Sequence, residues 1–223
     1  MKPRAVIFDI DGTLLDSVDY HALAWQEAFE HFGHRIPFER IRPQIGKGGD
    51  QLLPVFLNPD ELKRIGKELE QYRTDLFKNR YLPQVTPFPK VRELCLKILE
   101  QGQRLALASS GKEKEVAVYK RIAHIDDLIE EEASSDDARK SKPHPDIFEA
   151  ALAKLSPITA AETVVVGDTP YDAEAAGKAG LKTIGVLCGG FPEEELRRAG
   201  CLAIFQSPED LLTNYERSPL DSK

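Results

Sequence analysis

Polar residues able to do chemistry stand at three points where a short apolar run ends. Asp9 and Asp11 follow Ala5-Val6-Ile7-Phe8, Ser109 and Ser110 follow Leu105-Ala106-Leu107-Ala108, and Asp168 follows Val164-Val165-Val166-Gly167. Each carboxylate alone reads equally well as a turn former or a helix cap. Three sites with the same placement point instead to one crevice. Carboxylates gathered there repel each other unless a cation sits among them. A hard divalent ion with oxygen ligands fits, and Mg2+ is favoured where a phosphate supplies further ligands. No histidine–cysteine set suggests zinc.

The neighbouring residues suit an anion. Gly12 allows a sharp turn after Asp11 and brings backbone N–H groups close to a negative group. Thr13 adds a hydroxyl, and Ser109 is placed to hydrogen-bond a phosphoryl oxygen. Lys142 lies in Ser141-Lys142-Pro143-His144-Pro145-Asp146, where two prolines stiffen the loop. Taken alone, it reads equally as a surface lysine.

These groups meet only if the strands are parallel neighbours. The apolar runs 5–8, 104–108, 163–166 and 183–187 read as buried strands, with shorter ones near 128–129 and 202–205. Helical spacing is seen at 17–32, 91–100, 112–121, 145–155, 171–179 and 193–199. This alternation predicts an α/β fold, a Rossmann-like doubly wound parallel sheet whose crevice lies beyond the carboxyl ends of the strands. Residues 36–86 differ: they are rich in proline, carry Gly46-Lys47-Gly48-Gly49 and a long amphipathic stretch at 59–81, and hold nothing like a buried strand. They predict a helical insertion, and the chain divides into a core of residues 1–15 and 87–223 and a small helical cap of residues 16–86. The residues from about 216 read as a frayed tail.

The composition is that of a soluble globular chain: 223 residues, 41% hydrophobic and 30% charged, net charge -7. The acidic balance argues against nucleic acid as the main partner. No apolar run approaches the ~20 residues needed to span a bilayer. Three cysteines, Cys95, Cys188 and Cys201, show no metal-ligand spacing and read as reduced thiols of a cytoplasmic protein.

The run Asp9-Ile10-Asp11-Gly12-Thr13-Leu14-Leu15-Asp16-Ser17 resembles the first motif of the haloacid dehalogenase superfamily. Ser109 matches its second motif, Lys142 its third, and Gly167-Asp168 with Asp172 its fourth. The insertion after the first motif is similar to the helical cap of the subgroup containing phosphoglycolate phosphatase and β-phosphoglucomutase. The resemblance implies that Asp9 attacks phosphorus and Asp11 serves as general acid, then general base. It implies Mg2+ held by Asp9, the backbone carbonyl of Asp11 and Asp168, with Ser109 and Lys142 stabilising the transferring group. Asp172, one helical turn after Asp168, either orders a metal-bound water or caps its helix. A dehalogenase expels halide and needs no acid where Asp11 stands, so phosphate esters are the expected substrates.

His21 and Trp25 lie at the entry to the cap. His21 either contacts the substrate or Asp11, or packs at the domain junction; Trp25 reads as a core residue. Lys47 sits where such caps carry a specificity loop, with Gly49 where the mutase has a phosphate-gripping arginine. The expectation is therefore a phosphatase for a small phosphorylated metabolite, working as a monomer, with a dimer also open. Gly12, Thr13, His21, Lys47 and Ser110 are its expected substrate contacts. A β-phosphoglucomutase-like mutase is the nearest alternative. From other classes, a phospho-accepting receiver domain carries its acceptor on a later strand and has no helical insertion, and a non-catalytic interaction module would not need every catalytic residue type.

Overall fold

A computed structural model describes residues 2–221. The eight strands are β1 Ala5–Phe8, β2 Leu15–Asp16, β3 Thr86–Pro87, β4 Arg104–Ala108, β5 Glu131–Ala133, β6 Thr163–Gly167, β7 Lys182–Val186 and β8 Ala203–Phe205. The α-helices are α1 Val18–His31, α2 Phe38–Ile41, α3 Gly49–Phe56, α4 Pro59–Leu76, α5 Val91–Glu100, α6 Glu113–Ile122, α7 Asp146–Lys154, α8 Pro170–Lys178, α9 Glu193–Ala199 and α10 Pro208–Thr213.

Six strands form one parallel sheet in the order β5-β4-β1-β6-β7-β8. Strand β1 is central because every one of its four residues is apolar and buried on both faces. Its alternate side chains feed two cores. Val6 and Phe8 join Leu105, Leu107, Val164 and Val166 beneath α5, α6 and α10. Ala5 and Ile7 join Ala106, Ala108 and Val165 beneath α7 and α8. The register pairs Phe8 with Leu107 on one side and Val166 on the other, so β4 and β6 end only one residue beyond β1. Asp9, Ser109 and Asp168 therefore emerge side by side.

Between β1 and β4 the chain leaves the sheet. The antiparallel pair β2–β3 matches Leu15 with Pro87 and Asp16 with Thr86, closing the base of the excursion. Helices α1 to α4 pack around their own apolar cluster, which includes Trp25, Phe29, Leu52 and Leu69. Helix α4 begins at a capping box in which Asn58 accepts from Glu61 N–H at 3.0 Å and Glu61 accepts from Asn58 N–H at 3.0 Å. No helix among the described residues is long and apolar enough to cross a membrane.

Two local expectations fail. Residues 128–129 are not a strand: Leu128 N–H donates to Ile125 in a turn, and Ile129 packs into the core. The edge strand is β5, whose Glu131 and Glu132 hide it from an apolar pattern. Residues 216–221 are docked rather than frayed, while the rest of the expected tail lies outside the described residues: Leu220 is fully buried, and Gln103 Nε2 donates to its carbonyl at 3.0 Å. Helix α10 was not anticipated either, although Ser207-Pro208 is a cap-and-first-turn signal and Ser207 accepts from Asp210 N–H.

Candidate active site

Asp9 is fixed at the end of β1 by its own N–H, which donates to Val166 O at 2.9 Å. The chain then turns tightly, with Gly12 N–H donating to Leu15 O at 2.8 Å. Gly12 has φ of +83°, and a Cβ there would lie 2.3 Å from Asp168 Oδ2. Gly189, on the loop after β7, approaches the same oxygen even more closely: a Cβ there would lie 1.7 Å away. Asp168 thus sits in a slot that side chains at either glycine would fill.

Lys142 is 1% exposed despite its charge. Its ammonium pairs with Asp9 Oδ1, lies 2.7 Å from Asp172 Oδ1, and donates to Ala108 O at 3.3 Å. Asp172 is also held from the other side, where Oδ2 accepts from Thr169 Oγ1 at 2.7 Å and Thr169 N–H at 3.1 Å. Thr13 Oγ1 lies 3.3 Å from Asp9 Oδ2 and 3.1 Å from Asp168 Oδ1, and its one proton serves one of them at a time. Asp168 Oδ2 is buried with no hydrogen-bond partner.

Asp9, Asp168 and Asp172 each bring an oxygen to within 4.8 Å of the others. One ammonium faces these three carboxylates. Burial, partly offset by Lys142, lifts Asp9 to about 7, with Asp172 and Asp11 adding to the rise. Burial, then the charges of Asp9 and Asp172, push Asp168 well above the ordinary carboxylate range. Lys142 is raised: burial opposes its charge, but Asp172 and Asp9 outweigh it. The unpartnered Asp168 oxygen, the all-oxygen donor set and the excess negative charge fit a hard divalent cation.

Asp11 stands apart, its side chain outside that cluster. Its Oδ1 accepts from Ser17 Oγ at 2.6 Å and from His21 Nε2 at 2.9 Å. Burial works against its charge, but His21, Ser17 and Arg73 outweigh it and hold Asp11 below the usual carboxylate range. Arg73 on α4 donates to His21 Nδ1, and His21 stacks on Phe77 with centroids 3.9 Å apart.

A cavity of about 290 Å³ opens from Asp9 and Asp11 towards the helical insert. His21, Lys47 and Ser110 line it. The Lys47 ammonium is engaged elsewhere, donating to Gln44 Oε1 at 2.6 Å and lying 4.6 Å from the centre of the Tyr171 ring. Ser109 is buried behind the wall, where Oγ accepts from Gly111 N–H at 3.1 Å. Trp25 also lines the cavity, as well as packing in the insert's core. The insert is seated on the sheet domain: Arg42 Nη2 donates to Gly189 O at 3.1 Å, and Tyr171 OH donates to Pro43 O at 2.6 Å.

Arg73 and Tyr119 are among the cavity residues that escaped the sequence reading. Arg73 had a signal, since Leu69, Arg73 and Phe77 recur at four-residue spacing and a charge therefore falls on the buried stripe. Tyr119 had none, because an aromatic on the apolar face of α6 reads as core.

The family model for haloacid dehalogenase-like hydrolases matches residues 6–186, which covers most of the chain and runs from before Asp9 to beyond Asp172. The chain belongs to the haloacid dehalogenase-like hydrolases. It is 33% identical over 208 residues to the "Probable phosphatase IndB" of Dickeya dadantii, covering 89% of this chain and 87% of that one. It is 27% identical over 218 residues to the "Phosphorylated carbohydrates phosphatase" of Thermotoga maritima, covering 94% and 96%. A hydrolase from Pseudomonas syringae has a similar solved structure, with a TM-score of 0.84 at 29% identity over 96% of this chain and 98% of that one. This member of the family is a phosphatase-type hydrolase by these relationships, and its sheet and insert are those of its structural neighbours.

Proposed function

We propose that the protein hydrolyses a small phosphate monoester in two steps, through a phosphoryl group carried on Asp9. The observation that carries this reading is the contrast between two aspartates one residue apart. Asp9 lies against Lys142 among buried carboxylates, whereas Asp11 lies outside them on His21. Two carboxylates in different environments suit two roles.

Asp9 attacks phosphorus, and the ester oxygen leaves on the opposite side. Lys142 keeps Asp9 placed and offsets charge on the transferring group. Asp11 donates a proton to the leaving oxygen. The substrate dianion favours that protonation, because a like charge nearby disfavours the carboxylate. In the second step Asp11, ionised again and held by His21, takes a proton from the attacking water. A divalent cation, Mg2+ in this reading, would be held by Asp9 and Asp168 and would offset repulsion between carboxylate and phosphate. Asp172 has both oxygens engaged, by Thr169 and Lys142, which favours a positioning role for it.

The helical insert, residues 16–86, serves in this reading as a cap that excludes bulk water. Water rather than a second sugar phosphate is the favoured acceptor. At Gly49, where a mutase needs a cation, a Cβ would meet the Glu70 carboxylate at 2.2 Å.

The deciding experiment is turnover of p-nitrophenyl phosphate and a panel of phosphate monoesters with Mg2+. Hydrolysis that is lost in Asp9→Asn protein supports the reading. Absence of turnover on every ester by the folded protein would sink it.

A further inference from the structure

Tyr119 is the aromatic residue of α6, and its ring packs in the main core with Val116 and Ala123. The residue is 3% exposed, yet it lines the cavity shared by Asp11, His21 and Arg73. Its phenol oxygen has no hydrogen-bond partner among the described residues. A buried tyrosine ordinarily finds one. Here the residue lines the cavity, so water or a bound ligand in the cavity supplies the partner.

The surroundings define that partner. Burial, with the charges of Asp11 and Glu115, keeps the phenol protonated, so it remains a donor. Glu115 already accepts from Lys112 N–H at 3.0 Å. Arg73 faces the same space from the insert, with its guanidinium between the rings of Trp25 and Phe77 at 5.0 and 5.3 Å. Its bond to His21 uses one nitrogen and leaves further N–H groups. A phenol from the sheet domain and a guanidinium from the insert therefore present donors to the same space beside Asp11.

We propose that Tyr119 is a specificity-determining residue that binds the alcohol half of the substrate. This rests on the phosphatase reading, because Asp11 marks where the ester oxygen leaves. A donor beside Asp11 then meets the carbon next to the ester carbon. The substrates it selects are phosphate monoesters carrying an oxygen acceptor there, a hydroxyl or carboxylate, as in phosphorylated polyols and hydroxy acids. Simple alkyl phosphates leave the phenol unpaired inside a closed cavity, which costs binding.

The test compares glycerol 1-phosphate with propyl phosphate, which has the same chain without the neighbouring hydroxyls. In the parent protein kcat/KM should favour glycerol phosphate by about tenfold or more. In Tyr119→Phe, which keeps the ring and so the core packing, that preference should shrink by about tenfold, mainly through KM for glycerol phosphate. Propyl phosphate is the internal control for folding, and p-nitrophenyl phosphate reports on the chemistry. An unchanged preference in Tyr119→Phe, or an equal loss on both esters, overturns the proposal while the phosphatase reading stands. Absence of turnover on all three esters in the parent overturns both.

Discussion

His21 donates from Nε2 to Oδ1 of Asp11 across 2.9 Å. The proton sits on Nε2 because Nδ1 is already an acceptor, taking a hydrogen bond from Arg73. A cation on the insert thus sets the tautomer of a histidine that sets the state of a carboxylate. Asp11 is held low in the fold, so its ionised form contributes stability above its unfolded value and loses it as pH falls. In His21→Ala, Asp11 should titrate at higher pH, read from its carboxyl carbon shift. Turnover should fall by about tenfold. An unmoved titration would rule out the bond as the cause.

Lys142 and Asp9 form a buried pair, and breaking such a pair leaves charge without compensation. Lys142→Met should destabilise the cation-free protein by about 3 kcal/mol, measured by urea unfolding. Asp9→Asn should instead fold normally and lose at least ~10⁴-fold in turnover. Comparable stability of Lys142→Met and parent would show that the ammonium is not needed to hold the carboxylates together.

Asp9 and Asp168 are both raised, Asp9 to about 7. A raised carboxyl favours the fold while protonated. Its contribution is present below the unfolded value of 3.8 and is lost as pH climbs through the folded value. In EDTA, melting temperature should therefore fall between about pH 4 and pH 7. Mg2+ should reverse most of that fall, and Asp168→Asn should weaken both effects. Identical melting curves with Mg2+ and EDTA at pH 7 would argue against a cation at these carboxylates.

A methyl group at position 189 would collide with Asp168 Oδ2. Gly189→Ala should push that carboxylate out of its slot and raise the Mg2+ concentration for half-maximal activity by about tenfold. An unaltered Mg2+ requirement would mean that the slot is not rigid.

Arg42 ties the insert to the loop that carries Gly189, and it also donates to Asp19 at 2.7 Å. Arg42→Ala should let the insert open more often. The single tryptophan, Trp25, is 4% exposed in the seated arrangement and lines the cavity. Acrylamide quenching of its fluorescence should rise, about twofold, with little change in melting temperature. Equal quenching in variant and parent would count against Arg42 as a tether.

Much of this was legible beforehand because strand ends are legible. Four apolar runs of parallel-sheet character located the strands, and the polar residues after three of them pointed to the candidate site. What misled was local composition. Glu131 and Glu132 masked an edge strand, and a polar C-terminal stretch concealed Leu220, whose carbonyl is held by the distant Gln103, itself bound by Tyr215.

The sequence by itself determined that Asp9, Asp11, Lys142 and Asp168 are candidates for one site, since their motifs and order are local properties of the chain. Only the tertiary structure decided how they are arranged there. Asp11 turns from the carboxylate cluster because α1 brings Ser17 and His21 over it, and Asp172 is drawn onto Lys142 from a helix 30 residues further on. Arg73 left only a charge on a buried stripe to read, and Tyr119 left nothing. A charge on an amphipathic helix and an aromatic on an apolar face become cavity residues only when two separately packed units close on the same space.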